Sequence, residues 1–246
     1  MPKNKKIAFI TGSSRGLGYE IAKKLLKENF VVIINSNNIK SLQKSLNYSK
    51  DFHYICGDIK TKQGNRKIFE QIKIKYKKLD LLICNYGNSD YKKNNLDLEH
   101  AITNNLYTAH NSIQNSIKLL KQHTSKIICI SSICGIEYIE GAPYGYSIAK
   151  SALNTMVKLY SNLFAEKGIS VNAIVPGNMD FEGSLWRKKI RKNRAKTKNY
   201  IKKNVPINKF GTIDDIFSLI KAIIYNKSQF LTGSILISDG GQTKKF

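Results

Sequence analysis

Acidic residues are scarce in this sequence. The 246 residues include 17 Asp and Glu against 41 Lys and Arg, which gives a formal net charge of +24. A charge of this size would suit nucleic acid or an acidic protein partner. The lysines, however, are spread through nearly every segment together with many Asn and Ile, so a compositional bias of the whole chain is the better interpretation. We therefore expect that nucleic acid is not a partner.

Cysteine and histidine are also rare, with four residues of each. The cysteines form no CxxC pair, which argues against a disulfide or zinc framework and favours reduced thiols in a core. The histidines show no HExxH motif or similar ligand spacing. The sequence therefore predicts no metal site.

Long hydrophobic runs are missing as well. No stretch approaches the roughly 20 apolar residues that a membrane-spanning helix needs, because Lys or Asn interrupts each run. The basic residues 1–6 are followed by only Ile7–Ile10, which is too short for the apolar part of a secretion signal. These absences predict a cytoplasmic protein without a membrane partner.

What the sequence does contain is a regular alternation of short apolar runs and longer amphipathic stretches. Strands alternating with helices, such as the stretches 18–28 and 147–166, predict a parallel sheet with helices on both faces. The length suits one doubly wound α/β domain of Rossmann type over residues 1–246. The seven predicted strands are residues 6–10, 31–34, 53–56, 79–84, 126–131, 170–175 and 234–237.

Residues 178–204 interrupt this alternation. From Arg187 onward they carry ten Lys or Arg, no acid follows Glu182, and Trp186 is the only tryptophan of the chain. A connection of this length is commonly a functional lid. It also follows the carboxyl end of a strand, where ligands bind in open α/β sheets. We predict that this segment is a basic substrate lid.

A glycine-rich turn follows the first strand directly and precedes a helix. Glycines permit a tight turn and a close approach of the backbone to a pyrophosphate, while the helix N-terminus offers free N–H groups. The turn is not a Walker A loop, because no Gly-Lys-Ser/Thr follows. The candidate cofactor-binding residues are Gly12, Ser14, Arg15, Gly16, Leu17 and Gly18.

The residues after the second strand indicate which dinucleotide binds. Enzymes that use NAD usually carry an acid there for the ribose 2′-hydroxyl. This chain has Asn and Ser at residues 35–38 and no acid, so Ser36 and Asn37 are candidate neutral donors. Arg15 could pair with a 2′-phosphate by charge-assisted hydrogen bonds. The sequence therefore favours NADP(H) over NAD(H).

A tyrosine and a lysine four residues apart, Tyr146 and Lys150, lie at the start of the helix after the fifth strand. This spacing places the two side chains on one helical face. A phenol has a pKa near 10 in water, so it exchanges a proton readily at neutral pH only when a nearby cation favours the phenolate. Tyr19 and Lys23 have the same spacing but lie on the first helix, where no chemistry is expected, and only Tyr146 is preceded by the serine pair that ends the neighbouring fifth strand.

That serine pair is Ser131 and Ser132, in the segment Ile-Ser-Ser-Ile-Cys-Gly at the end of the fifth strand. A hydroxyl there could reach the same carbonyl oxygen as Tyr146. Ser132, which precedes Ile-Cys-Gly, is the preferred candidate. The sequence thus predicts a site in which a serine, a tyrosine and a lysine act on one carbonyl group.

With these residues the sequence resembles the short-chain dehydrogenase/reductase family almost from end to end. The resemblance implies that Tyr146 is the general acid in reduction, that Ser132 hydrogen-bonds the carbonyl, and that Lys150 also holds the nicotinamide ribose. It further implies that an Asn positions a proton-relay water. Asn105 matches this position, with Asn104 as the less favoured neighbour.

The resemblance also implies further contacts with the cofactor. Three positions depart from the family pattern: Cys84 and Tyr86 in the turn after the fourth strand, and Phe181 where a Thr is common. The implied contacts are Asp58 and Ile59 beside the adenine, Asn85 and Gly87 beside the adenosine ribose, and Pro176, Gly177 and Met179 beside the nicotinamide.

The carboxyl-terminal part resembles the 3-oxoacyl-carrier-protein reductase branch of the family, through Pro206, Gly211 and the Asp-Gly-Gly of residues 239–241. The resemblance implies a homo-oligomer, either a tetramer or a dimer. The leading hypothesis is NADPH-dependent reduction of a ketone, with a small-molecule or carrier-bound carbonyl substrate. The alternatives are a dehydrogenase of sugars, polyols or other ketones, and a non-catalytic protein that binds NADP(H) or nucleic acid.

Overall fold

A computed structural model describes residues 5–89 and 97–244 of the chain. Seven strands form one sheet in the order β3-β2-β1-β4-β5-β6-β7, and every neighbouring pair is parallel. The sequence-predicted fold, a Rossmann-type doubly wound sheet, is confirmed. The strands are β1 (Ile7–Ile10), β2 (Val31–Ser36), β3 (His53–Cys56), β4 (Leu81–Cys84), β5 (Lys126–Ile130), β6 (Ser170–Pro176) and β7 (Ile235–Ser238).

Helices cover both faces of the sheet. One hydrophobic core lies between the sheet and α3, α5 and α6, and the second lies between the sheet and α1, α2 and α9. None of the helices within the described ranges is both long and apolar enough to cross a membrane. The helices are α1 (Gly16–Lys27), α2 (Ile39–Ser45), α3 (Lys62–Tyr76), α4 (Leu98–Ile102), α5 (Thr108–Ser116), α6 (Tyr144–Phe164), α7 (Leu185–Lys192), α8 (Arg194–Asn204) and α9 (Ile213–Tyr225).

Two helices begin earlier than the hydrophobic pattern predicts. The first begins at Gly16 instead of Gly18, and α6 begins at Tyr144 instead of Ser147. Pro143, at the N-cap of α6, has φ −63°, a value that its ring fixes and that suits entry into a helix. The earlier start places Tyr146 within the first turn of α6.

The described part of the helical connection between β4 and β5 contains a wide turn. Helix α4 continues into a π-helical segment, Thr103–Tyr107, and then into α5. Such wide turns are rare and occur often at functional sites. Here the wide turn carries the neighbouring buried residues Asn104 and Asn105.

The predicted lid segment contains two short helices, α7 and α8. Ser184 caps α7 by accepting a hydrogen bond from the Arg187 N–H, and Asn193 caps α8 by accepting one from the Lys196 N–H. An isolated parallel bridge between Met179 and Gly211 links the start of the segment to the chain that follows it. The predicted lid segment is therefore folded and held at its base.

Candidate active site

A cleft of about 600 Å³ opens along the carboxyl ends of the strands, which is the edge where open parallel sheets bind their ligands. Sixteen of the nineteen sequence-predicted site residues line it. They are Gly12, Ser14, Arg15, Gly16, Leu17, Ser36, Asn37, Asp58, Ile59, Asn85, Gly87, Ser132, Tyr146, Lys150, Pro176 and Gly177.

The glycine turn depends on two backbone conformations that other residues rarely adopt. Gly12 has φ +61° and Gly16 has φ +65°. A Cβ at Gly12 would lie only 2.7 Å from the ring of Tyr86, so this position also needs a residue without a side chain. Helix α1 begins directly at Gly16, and its first N–H groups lie beside the cleft.

Asn35 holds the turn in place, and sequence reasoning did not select it. Its side-chain oxygen accepts a hydrogen bond from the Gly12 N–H at 3.3 Å. Its amide donates to the carbonyl oxygens of Ile55 and Gly57 at 3.1 and 3.2 Å. The side chain is fully buried, so it joins the turn after β1 to β3. The one available signal was an Asn at the end of an otherwise apolar strand.

The charges around the cleft favour an anionic ligand. Arg15 is exposed beside the turn and forms no ion pair with another described residue. Asp58 is the only acid in the described wall, and it lies 3.8 Å from the Lys60 ammonium. The residues at the end of β2 that line the cleft, Asn35, Ser36 and Asn37, include no acid, as the sequence predicts.

Lys150 lies buried under the cleft, with 4% of its side chain exposed. Its Nζ donates to the Ile130 carbonyl at 2.8 Å and lies 5.6 Å from the centre of the Tyr146 ring. Burial lowers the pKa of Lys150 to about 8. Nearby thiols such as Cys129 oppose this shift, but burial has the larger effect. The lysine is therefore a cation close to the phenol, in an environment that makes its charge costly.

Ser131 and Ser132 have different surroundings. The Ser131 hydroxyl is buried and donates to the backbone carbonyl of Lys150 at 3.4 Å. The Ser132 Oγ accepts from the Cys134 N–H at 3.2 Å, which leaves its O–H to donate elsewhere. These contacts favour Ser132 as the residue that faces a substrate.

Close packing brings this serine turn against α6. A Cβ at Gly135 would lie 2.5 Å from the Lys150 carbonyl carbon, so only a glycine allows the approach. The Asn154 amide then donates to the Gly135 carbonyl at 3.1 Å. The strand end that carries Ser132 is thereby held beside the helix that carries Tyr146.

Three predicted site residues lie behind the wall of the cleft. At Gly18, a Cβ would lie 2.4 Å from the amide nitrogen of Asn85, so this glycine permits close packing of α1 on the turn after β4. Met179 is 6% exposed, and its sulfur lies against Gly211. Asn105 donates to the carbonyl oxygens of Asn88 and Ala101, both at 3.1 Å.

Asn105 nevertheless adjoins the candidate catalytic residues. A Cβ at Gly87 would lie 2.4 Å from the Asn105 Oδ1 and 3.4 Å from the Lys150 Nζ. The Asn105 Oδ1 and the Lys150 Nζ therefore both lie beside Gly87. Asn104, the alternative, contacts the Nε2 atom of His100 at 2.7 Å.

Several further residues of the wall were missed or given no role by the sequence. Tyr86 packs on the glycine turn, and burial, together with the charge of Asp58, raises its pKa, although Arg15 opposes this effect. From the predicted lid segment, the wall includes Phe181, Gly183, Ser184, Leu185 and Lys188. In the described part of the chain, no group of three or more His, Cys, Asp or Glu could hold a metal ion.

Comparison with known proteins assigns the class of the molecule. A family model described as enoyl-(acyl carrier protein) reductase matches residues 12–243. The chain is 31% identical to the 3-oxoacyl-[acyl-carrier-protein] reductase of Rickettsia typhi and 26% identical to that of Aquifex aeolicus, each over 96% of both chains. The chain therefore belongs to the short-chain dehydrogenase/reductase family and is an oxidoreductase.

Solved structures agree with this assignment. ElxO with NADP bound superposes with a TM-score of 0.88 at 26% identity, over 97% of this chain and 99% of that one. YwfH, an NADPH-dependent reductase involved in bacilysin biosynthesis, superposes with a TM-score of 0.86 at 25% identity, over 99% of this chain and 100% of that one. The RhlG/NADP complex of Pseudomonas aeruginosa superposes with a TM-score of 0.86 at 24% identity, over 96% of this chain and 95% of that one. This likeness supports the fold alone.

Proposed function

We propose that this protein is an NADPH-dependent reductase that converts a ketone to a secondary alcohol, with a 3-oxoacyl thioester as the preferred substrate. The observation that carries the proposal is the arrangement of Tyr146, the buried Lys150 and Ser132 around one cleft. The cleft is long enough to reach from the glycine turn to these three side chains.

The cofactor fits the residues that are present. Gly12 and Gly16 form a turn that brings backbone against a pyrophosphate, and the α1 N-terminus favours its negative charge. Arg15, Ser36 and Asn37 would hold a 2′-phosphate, since Arg15 supplies a cation and the residues that end β2 include no acid. When bound, the nicotinamide supplies the hydride.

The side chains of this protein would manage the proton of the reaction. Ser132 donates a hydrogen bond to the carbonyl oxygen and polarises it. Tyr146 then donates its phenolic proton to that oxygen as negative charge develops there. Lys150 stabilises the resulting phenolate through its positive charge, and Asn105 supports the water that returns a proton.

The proposed thioester substrate is supported by the two 3-oxoacyl-[acyl-carrier-protein] reductases, which match the chain over 96% of its length. Other ketones, such as sugars, are the alternative substrates of the same site. The description of the family model names an enoyl substrate instead, so an enoyl thioester is a necessary comparison.

A binding and turnover experiment tests the proposal. Binding of NADPH and of NADH is measured by titration through the fluorescence of Trp186 and should show a preference for NADPH. The Arg15→Ala variant should reduce that preference by about ten-fold or more. NADPH oxidation is then measured with acetoacetyl and crotonyl thioesters and with keto sugars. Reduction of the crotonyl thioester alone would contradict ketone reduction, while equal affinity for the two cofactors would contradict the choice of NADPH.

We also propose that the protein forms a homo-oligomer, a tetramer or a dimer. Helix α6 supports this proposal because it exposes the apolar side chains of Leu159 and Leu163, at 63% and 66%, four residues apart on one helical face. Light scattering after size-exclusion chromatography should give a mass of two or four chains. Charged substitutions at these two leucines should lower that mass if α6 forms the contact.

A further inference from the structure

The turn after β4 carries two neighbouring residues that face opposite halves of the cleft. A Cβ at Gly87 would lie 3.4 Å from the Lys150 Nζ, so this residue adjoins the candidate catalytic side. The side chain of Tyr86 lies instead over the turn after β1, where its Cδ2 would be 2.7 Å from a Cβ at Gly12. In the sheet, β1 and β5 lie on opposite sides of β4. The Tyr86 ring therefore points away from the strand end that carries Ser132.

The charges that act on the Tyr86 phenol agree with this direction. Burial and the charge of Asp58 raise the pKa of Tyr86, and the charge of Arg15 lowers it. Asp58 follows β3 at the edge of the sheet, beyond β1 and β2, and Arg15 lies in the glycine turn. Both residues line the cleft. The phenol thus extends from the end of β4 toward the ends of β1, β2 and β3.

The backbone of Tyr86 is fixed on the first turn of the fold. The Thr11 Oγ1 accepts hydrogen bonds from the N–H groups of Asn85 and Tyr86 at 3.0 and 2.9 Å. The Asn85 amide donates in return to the carbonyl oxygens of Thr11 and Gly12 at 3.0 and 3.2 Å. The Tyr86 ring packs on the core but remains partly exposed where it lines the cleft. It is therefore a held aromatic surface that a ligand can reach.

The ends of β2 and β3 offer little other apolar surface. The residues there that line the cleft are Asn35, Ser36, Asn37, Gly57, Asp58 and Ile59. The one large apolar side chain among them, Ile59, is only 2% exposed. The other aromatic residues of the described wall, Tyr146 and Phe181, come from the segments that follow β5 and β6. Tyr86 is thus the aromatic side chain on the β1 side of the described wall.

We propose that Tyr86 binds the adenosine half of NADP(H), through contact of its ring with the base and the ribose. The proposal rests on the proposed function, because it assumes NADP(H) in the cleft with its 2′-phosphate at Arg15, Ser36 and Asn37. A purine has apolar faces that stack favourably on an aromatic side chain. The ring carries this contact, so a phenylalanine can replace the tyrosine.

The two halves of the cofactor test the proposal separately. Calorimetry gives the Kd values of NADPH, of adenosine 2′,5′-bisphosphate and of reduced nicotinamide mononucleotide, without turnover. The variants are Tyr86→Leu, which keeps apolar bulk on Gly12, and Tyr86→Phe, which keeps the ring. Tyr107→Leu is the matched control, because Tyr107 is 54% exposed and lines a different pocket. Thermal unfolding checks that each variant is folded.

We expect Tyr86→Leu to weaken NADPH and the adenosine bisphosphate about ten-fold each, and to leave the nicotinamide mononucleotide unchanged. Tyr86→Phe and Tyr107→Leu should keep the wild-type Kd for all three ligands. Unchanged binding in Tyr86→Leu would overturn the proposal. An equal loss for the nicotinamide mononucleotide would overturn it in favour of a disturbed glycine turn, and an equal loss in Tyr86→Phe would assign the binding to the hydroxyl.

A second measurement does not depend on the leucine variant. In protein deuterated except at its tyrosines, transferred nuclear Overhauser effects should connect tyrosine ring protons with the adenine protons of adenosine 2′,5′-bisphosphate. Tyr86→Phe, with its phenylalanines deuterated, should abolish these effects and still bind the ligand. Their absence in wild type, or their persistence in Tyr86→Phe, would overturn the proposal.

Turnover separates this inference from the proposed function. If NADPH binds in a Tyr86-dependent manner but no ketone is reduced, the adenosine contact stands and ketone reduction is wrong. If ketones are reduced and Tyr86→Leu changes no Kd, ketone reduction stands and the adenosine contact is wrong. Failure of wild-type protein to bind either NADPH or the adenosine bisphosphate would overturn both.

Discussion

The chain contains the pattern Tyr-x-x-x-Lys twice, and the two copies have opposite surroundings. On α1, Tyr19 donates its hydroxyl hydrogen to the Ser45 carbonyl at 3.0 Å, and Lys23 pairs with Glu20 at 2.8 Å. On α6, Lys150 is 4% exposed and lies under a cleft that Tyr146 also lines. Helical spacing creates the pair in both places, and the second pair lines the cleft of about 600 Å³.

The electrostatic consequences differ as well. The carboxylate of Glu20 neutralises Lys23, while burial, Glu20 and Tyr48 together raise the pKa of Tyr19, which keeps that phenol protonated. In the second pair, no described acid forms an ion pair with Lys150, and burial lowers its pKa to about 8. A lysine that carries a costly charge beside a phenol is typical of a functional site, whereas a neutralised one is typical of a surface.

The largest expected difference between the two copies is in turnover. Tyr146→Phe removes the proposed proton donor, so kcat should fall by about 10² to 10⁴-fold, while the Kd for NADPH changes little. Tyr19→Phe is the matched control and should keep wild-type kcat. Steady-state rates on the best ketone found for the wild type measure both. Near-wild-type kcat in Tyr146→Phe would show that another group donates the proton.

A second difference should appear in the pH dependence of turnover. Because the pKa of Lys150 is about 8 in the free protein, the lysine is charged below this pH and loses its charge above it. The alkaline form no longer favours the phenolate, so kcat/KM for NADPH-dependent reduction should fall as pH rises through about 8. Lys150→Arg keeps its charge and should move this fall to higher pH. An unchanged profile in that variant would assign the fall to another group.

The same lysine should influence stability. Its pKa is lowered from 10.5 to about 8, so the unfolded chain binds more protons between these values and stability rises with pH across that window. Below about pH 8 the full cost of burying the ammonium remains, on the order of 3 kcal/mol. Lys150→Met should therefore unfold at higher urea concentration than wild type at pH 7 and lack this rise. The Lys23→Met protein should keep the rise of stability with pH. A Lys150→Met protein that also keeps this rise would show that Lys150 does not cause it.

The difference between the two copies also shows what sequence could predict. The strands, the glycine turn and the choice of Tyr146 over Tyr19 were predictable, because each depends on local patterns and their order along the chain. The role of Asn35 could not be predicted, because its three partners lie in the turn after β1, on β3 and just after β3, and these come together only in the folded sheet. Which side of α7 faces the cleft could not be predicted for the same reason. The packing of Trp186 against Tyr200 and Phe210 sets the orientation of this helix, and these contacts form only in the folded protein.

The smallest expected effect belongs to the α1 copy. Lys23→Met removes an i,i+3 ion pair with Glu20, in which both side chains are about a quarter exposed, and the contacts of the ammonium with the rings of Tyr19 and Tyr48 at 5.2 and 5.1 Å, so the free energy of unfolding should fall by about 1 kcal/mol. The loss should shrink further in high salt, because salt screens partly exposed charges. Urea unfolding at two ionic strengths measures it, with Lys23→Arg as the charge-preserving control. A loss of kcat in a stably folded Lys23→Met protein would mean that α1 contributes to the chemistry and that the two copies are less different than their surroundings indicate.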